Sequence, residues 1–325
     1  MDNIFIQIII LIIGFIILIK GADWLISGAS SAALNFKVSK MLIGLTVVAF
    51  GTGAPEFAVS ISSMLSGNND MLLGNVIGSN ILNIMLLIGI GAVIHPIMVK
   101  RASIRKELIL LLVASAALVV LFLDTIFAGA TANTITRADA LVCLLLFGIF
   151  FYFIIKSTRA SRKEKKKRAE KPEYTLGKSL LLVVIGLVGV VAGSQFVVNS
   201  ASFIASAIGI SDRIIALTIV AFGTSLPELI TTITAAKRGE NELLIGNIVG
   251  SNLFNICIVL GLPVLIFGEI VPTDFAVIDL IMLLASVVIL YLITIKDRKI
   301  TRLEGVMMLL IFAAYYSYII YGALA

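Results

Sequence analysis

The sequence predicts an all-α membrane protein: ten transmembrane helices forming two inverted five-helix repeats, with the N-terminus and C-terminus outside. Three observations predict it. The 325 residues are 60% hydrophobic and 14% charged, with a mean hydropathy of +1.12, where soluble chains carry about 25% charged residues. Apolar runs able to cross ~30 Å of hydrocarbon recur along the whole length. Residues 45–89 return as residues 217–261 at a constant offset of 172, with 21 identities in 45 positions and no gap.

The expected spans are residues 3–20, 41–65, 71–94, 107–123, 138–156, 178–198, 213–236, 243–267, 274–295 and 304–322. The first run starts acidic and has no small-residue cleavage site, so it reads as a retained helix rather than a signal peptide. With the N-terminus outside, the loops after spans one, three, five, seven and nine face inside. They hold 22 of the 25 Lys and Arg; Lys20, Arg137 and Arg213 are the exceptions. That is the positive-inside pattern of a cytoplasmic membrane protein, here a prokaryotic cell membrane, multi-pass. The net charge of +6 is thus an orientation signal, and no nucleic-acid partner is expected.

The chain divides into residues 1–155, a basic cytoplasmic linker at 156–177, and residues 178–325. The linker is too charged to bury and reads as a flexible joint, with anionic lipid a fitting contact. Five spans per half is an odd number, so the second copy enters the membrane from the opposite side. Inverted repeats are a transporter architecture in which broken helices meet near the midplane.

Within the first half, Lys20 and Asp23 lie three apart on a helix and can pair with each other. Residues 24–40 read as a small-residue, weakly apolar segment beyond the first span. In the second span, Gly51-Thr-Gly-Ala-Pro-Glu56 breaks a helix. Pro55 has no N–H for the Gly51 carbonyl, and glycines flank Thr52. Free carbonyls in a membrane must be met by protein, water or an ion. The third span sets Asn75, Ser79 and Asn83 four residues apart on one face, with Gly74 and Gly78 suited to close helix approach. A packing face with polar contacts explains that spacing as well as a binding face does; its repetition beside a second intramembrane glutamate favours binding. The second half repeats the pattern as Gly223-Thr-Ser-Leu-Pro-Glu228 and Asn247, Ser251 and Asn255. Asp274 and Asp279 read as interfacial. Cys143 and Cys257 lie in apolar runs and read as core residues without a disulfide; His95, next to Pro96, is not expected to hold a metal.

Brought together, the two motifs offer Glu56, Glu228, Thr52, Thr224, Ser225, Ser79, Ser251, Asn83 and Asn255. All donors are oxygen, the preference of hard cations; Ca2+ takes about six to eight such ligands. Two carboxylates neutralise one divalent ion. A charge at a helix centre costs ~2.5–3.5 kcal/mol or more, so the pair makes sense when occupied by Ca2+, Na+ or H+. An empty, doubly charged site would resist crossing between faces, which is itself a basis for exchange. Two protonated glutamates acting as structural glue are the alternative.

The duplicated G-T-[SG]-x-P-E and G-N-x-x-G-S-N-x-x-N segments resemble the α-repeats of the Ca2+/cation antiporter superfamily, and most resemble the prokaryotic sodium/calcium exchanger type. The resemblance covers essentially the whole chain in size, span number and linker position. It implies Ca2+ export driven by Na+ entry, by alternating access in which the first and sixth helices slide. It further implies that Glu56 and Glu228 ligate Ca2+ and serve Na+, that Thr52, Thr224, Ser79, Ser251 and the carbonyls of Ala49 and Ala221 complete the ion sites, and that Asn83 and Asn255 line the centre. Two positions depart: Gly53 stands where many relatives have Ser, and Asn255 where the type usually carries Asp. Both bear on the coupling ion. The expectation is therefore an antiporter, with Ca2+ and Na+ as transported ions and H+/Ca2+ or K+-dependent exchange as alternatives. A cation channel and an acid–base enzyme are less consistent with a duplicated site closed within one chain. No cofactor, nucleotide-binding loop or obligatory protein partner is expected, and the lipid bilayer is the working environment of a monomer.

Overall fold

A computed structural model describes residues 4–99, 101–127, 129, 132–164, 171–209, 221–272, 277–297 and 299–324. The protein is an all-helical, multi-pass membrane protein. Helix α1 spans Ile4–Asn35. Helix α2, Lys40–Thr52, starts at Ser39, whose side chain accepts the Leu42 N–H at 3.2 Å, and α3, Ala54–Leu65, leaves it at 45°. The bend is at Gly53, and Pro55 sits in the first turn of α3, where a missing N–H costs no helical bond. A turn through Gly67 (φ +70°) leads to α4, Asn69–Ile94. A two-residue strand β1 (Ile97–Met98) precedes α5 (Arg101–Phe122), the short α6 (Asp124–Phe127) and α7 (Arg137–Glu164).

The second half begins with α8, Leu176–Ala207. The short α9 (Ala221–Thr224) and α10 (Leu226–Lys237) form its broken pair, followed by α11, Asn241–Phe267. Helix α12 (Val277–Asp297), strand β2 (Lys299–Ile300) and α13 (Arg302–Leu324) close the chain. The offset of 172 extends to helix ends: it maps α1 onto α8 and α3 onto α10 at both termini. Seven described helices are long and apolar enough to cross a membrane, and the bent α2–α3 pair makes eight. The sequence of α5 includes Arg105, Lys106 and Glu107, and the stretch before α9 lies outside the described residues, as does Arg213.

The loops sort into the two groups that the charge pattern predicts. Among those expected on one face, Lys40 bonds Glu240 at 2.9 Å, the Asn35 amide donates to the Tyr174 carbonyl at 2.9 Å, and β1 pairs antiparallel with β2. Among those expected on the other, Ile135 bridges Ile270 and the Asn69 amide donates to the Val271 carbonyl at 3.3 Å.

Helices α1 and α8 pack on each other through glycines, as two-fold partners. A Cβ at Gly14 would lie 3.2 Å from the Gly193 carbonyl oxygen, and one at Gly21 would lie 3.0 Å from that of Gly186. Gly14 and Gly186 are repeat mates, as are Gly21 and Gly193. Their approach is closer than any larger residue permits. Helices α4 and α11, which carry the motif asparagines, are the most buried and form the centre.

Several expectations are corrected. Helix α1 does not stop at residue 20 but continues through the small-residue segment to Asn35, because Gly28 lets it lie against Ser179 and Leu182 of α8. Lys20 does not pair with Asp23; Asp23 pairs with Arg238 at 2.9 Å. Helix α7 carries regular structure to Glu164, inside the segment expected to be linker. Asp279 accepts the Tyr315 hydroxyl at 2.6 Å and is half-buried, while Asp274 lies outside the described residues. The reading of Cys143 and Cys257 as core residues agrees with the structure, where both are buried and unbonded to each other; His95 is exposed beside the Pro96 carbonyl.

Candidate functional site

Both glutamates sit at the start of the second half of a broken helix, Glu56 in α3 and Glu228 in α10, and each is 1% exposed. The backbone at each is held from within its own repeat. The Asn75 amide donates to the Glu56 carbonyl at 3.0 Å and to Ser60 Oγ at 3.1 Å. Its repeat mate Asn247 donates to Thr231 Oγ1 at 3.3 Å, and Thr231 shares its proton between the Pro227 carbonyl at 2.8 Å and the Glu228 carbonyl at 3.0 Å.

The side chains meet across the repeats. Ser225 Oγ donates to Glu56 Oε1 at 3.1 Å, while Glu56 Oε2 and both Glu228 oxygens have no hydrogen-bond partner. The Thr52 and Ser251 hydroxyls are neighbours of the Glu228 carboxylate, and Glu228 is a neighbour of Glu56. Thr52 donates to the Val48 carbonyl at 3.1 Å. Asn255 Nδ2 donates to Ser79 Oγ at 3.0 Å, and Asn83 Nδ2 to Asn252 Oδ1 at 3.0 Å. Thus Asn83 Oδ1, Asn255 Oδ1 and Ser251 Oγ join the glutamate oxygens as buried acceptors without a partner. Native interiors rarely leave such groups unmet.

Asn83 and Asn255 each lie in a π-helical turn, Leu82–Leu87 in α4 and Asn255–Leu260 in α11. A wide turn of this kind re-aims side chains and recurs at functional sites. The Ala49 carbonyl accepts the Gly53 N–H at 3.0 Å and keeps one lone pair. Thr224 closes α9, which opens at Ala221, and is half-buried. The structure thus brings Ser225 to Glu56, Thr52 and Ser251 to Glu228, Asn255 to Ser79, and Asn83 to Asn252. Gly246 and Gly250 approach α2 closely: a Cβ there would fall 2.5 Å from the Met41 carbonyl oxygen and 2.6 Å from that of Leu45. A Cβ at Gly74 or Gly78 would meet nothing within 4 Å among the described residues, and the segment equivalent to 41–45 falls outside the described residues.

Sequence reading missed Ser60, Thr231, Asn80 and Asn252. The last two are identical at the offset of 172, which was the available signal, but they lie off the four-residue face. It also missed Glu107 of α5, 9% exposed and outside this cluster.

The model of the sodium/calcium exchanger protein family matches residues 6–156 and 178–321, both halves and neither side of the linker omitted. The chain belongs to that family. It is 36% identical over 97% of its length to the putative antiporter CaxA of Alkalimonas amylolytica, covering 98% of that protein. It is 29% identical over 96% of its length to the sodium/calcium exchanger MaX1 of Methanosarcina acetivorans, covering 98% of it. The structure of the sodium-calcium exchanger NCX_Mj soaked with 10 mM Na+ superposes with a TM-score of 0.82 at 32% identity, over 98% of each chain. Family membership makes this chain an exchanger-type transporter rather than a member of a catalytic family.

Proposed function

We propose that this protein is a secondary antiporter that exports Ca2+ in exchange for Na+ by alternating access. Ten spans, with both termini outside the cytoplasmic membrane, carry the two inverted repeats. The observation that supports this most is the meeting of Glu56 and Glu228, one from each repeat, both buried and together presenting three unpartnered carboxylate oxygens. Two charges balance one Ca2+ or two Na+, and unbalanced they would oppose each other in a low-dielectric setting. Occupancy by either ion removes that penalty, and an empty site retains it; exchange follows. Asn83, Asn255, Thr52, Ser79, Ser251 and Thr224 supply neutral oxygens, as do the Ala49 and Ala221 carbonyls, and Ser225 steadies Glu56.

A proton-coupled version of the same exchange draws support from Asn255 and Gly53, which leave the site with two carboxylates and one fewer hydroxyl. Proteoliposomes loaded with Na+ and diluted into Na+-free buffer containing radiolabelled Ca2+ at clamped pH separate the two. Uptake that requires internal Na+ is the expected result. Uptake driven by a pH gradient and indifferent to Na+ would move the protein to proton coupling, and its absence under both gradients would end the Ca2+ assignment.

A further inference from the structure

We propose that Asn252 is a positioning residue that turns the amide oxygen of Asn83 into the ion site; this rests on the exchange reading above. Groups with only one hydrogen-bonding role fix the orientation. The Asn80 backbone carbonyl can only accept, so the Asn252 atom 3.3 Å from it is the donor Nδ2. Asn252 Oδ1 therefore lies on the other side, where it meets Asn83 at 3.0 Å, and the Asn83 atom meeting it must be its own donor, Nδ2. That leaves Asn83 Oδ1 on the far side, buried and without a partner. An amide held through its Nδ2 offers its oxygen, the atom a cation takes, without having to turn its N–H₂ group away first.

Asn83 and Asn252 are both 0% exposed. Asn255 is oriented by a different device. Ser79 commits its proton to the Asn75 carbonyl at 2.6 Å and accepts Asn255 Nδ2 at 3.0 Å, which frees Asn255 Oδ1. Asn80, the repeat mate of Asn252, has neither amide atom bonded. The duplicated asparagine thus acts on one side only, and the two central amides are aimed by two unlike anchors.

The test is a thermodynamic cycle on the full-length protein, read as the half-saturating Ca2+ concentration of Na+-driven uptake. Wild type is measured first: without Ca2+ uptake there, the exchange reading fails, independently of the comparison that follows. Asn252→Leu, close in volume, is expected to raise half-saturating Ca2+ about tenfold, the scale of losing a ligand's supporting contact. Melting temperature is expected to fall, because Asn83 Nδ2 loses a buried partner, so half-saturation is read on the folded protein. Combined with Asn83→Ala it is expected to add nothing, since a residue acting only through Asn83 has nothing left to orient. Where Asn252→Leu does not fold, Asn252→Ser repeats the comparison, being too short to span both Asn80 and Asn83. An unchanged half-saturation in the single variant overturns the proposal. So does an equal further rise on the Asn83→Ala background.

Discussion

Ser225 Oγ donates to Glu56 Oε1 at 3.1 Å across the boundary between the repeats, and the repeat mate of Ser225 is Gly53, which has no hydroxyl to offer Glu228. The two glutamates are therefore inequivalent: one is anchored, and the other has both oxygens unpartnered. Removing the anchor with Ser225→Ala loosens Glu56. Hydrogen bonds to charged groups contribute ~1.5–3 kcal/mol, so half-saturating Ca2+ should rise about tenfold or more, which radiolabelled Ca2+ titration reads directly.

Gly53→Ser is expected to act the other way. Its hydroxyl would serve Glu228 as Ser225 serves Glu56, and would restore an oxygen to the site. The backbone permits it, with φ −78°, but the new Cβ would lie 3.1 Å from the Ala49 carbonyl oxygen and from the Phe254 ring. Phe254 stacks on Phe50 with centroids 4.9 Å apart and must shift by tenths of an ångström. Half-saturating Na+ should fall in Gly53→Ser and not in Gly53→Ala, which adds the bulk without the hydroxyl.

Acid should weaken Ca2+ binding. Carboxylate ligands hold a metal only when deprotonated, so lowering pH removes the charges of Glu56 and Glu228, and raising it restores affinity to a plateau. Glu56→Gln and Glu228→Gln copy the acid limit. Each should abolish Ca2+ uptake at every pH while the purified protein still melts cooperatively. Half-saturating Ca2+ measured against pH checks the sign, and tighter binding in acid would contradict it.

A latch made in one repeat has no counterpart in the other among the described residues. Arg238 donates to Asp23 at 2.9 Å and also to Ser27, and Glu240 accepts from Ser30 at 2.8 Å and Lys40 at 2.9 Å, tying α1 and the start of α2 to the turn after α10. The repeat-equivalent residues, Ser66 with Gln195 and Asn68 with Ser202, make no such bonds to each other; Gln195 donates to Asn199, and Asn68 caps α4. Exposed ion pairs contribute ~0.2–1 kcal/mol, so Arg238→Gln should change the exchange rate by at most about fivefold and leave Ca2+ affinity alone. Rates compared at low and high ionic strength check it: salt should mimic the substitution in wild type and do little in the variant.

The α1–α8 seam tolerates no side chain. A Cβ at Gly186 would lie 2.5 Å from the Leu25 backbone nitrogen, and one at Gly193 would lie 2.6 Å from that of Leu18. Gly186→Val should separate the pair at a cost of ~1–3 kcal/mol and lower the melting temperature. Gly177→Val, on the same helix with nothing within 4 Å among the described residues, should not.

What was legible in the sequence were features that depend on composition and on duplication. Glu56 and Glu228 stood out because a carboxylate in apolar sequence has few explanations, and the repeat fixed their equivalence. The extent of α1 was not legible. Gly21, Gly28 and Ala29 score as weakly apolar one residue at a time, and only the approach of α8 shows that smallness is their purpose. Asp23 was assigned to Lys20 by helical spacing, yet Arg238, some two hundred residues away, presents a guanidinium that reaches it with two nitrogens. Asn252 was hidden because periodicity selects a face, whereas its role depends on what stands opposite. Symmetry in sequence also concealed asymmetry in bonding, as between Asn80 and Asn252.

The central claim is that one pair of glutamates serves both ions. Equilibrium binding of radiolabelled Ca2+ to the purified protein, titrated with Na+ at fixed pH, tests it most directly. Na+ should displace Ca2+ competitively in the wild type, and Ca2+ binding should be lost in both Glu56→Gln and Glu228→Gln. Ca2+ binding that survives in either variant, or that Na+ leaves undisturbed, would contradict it.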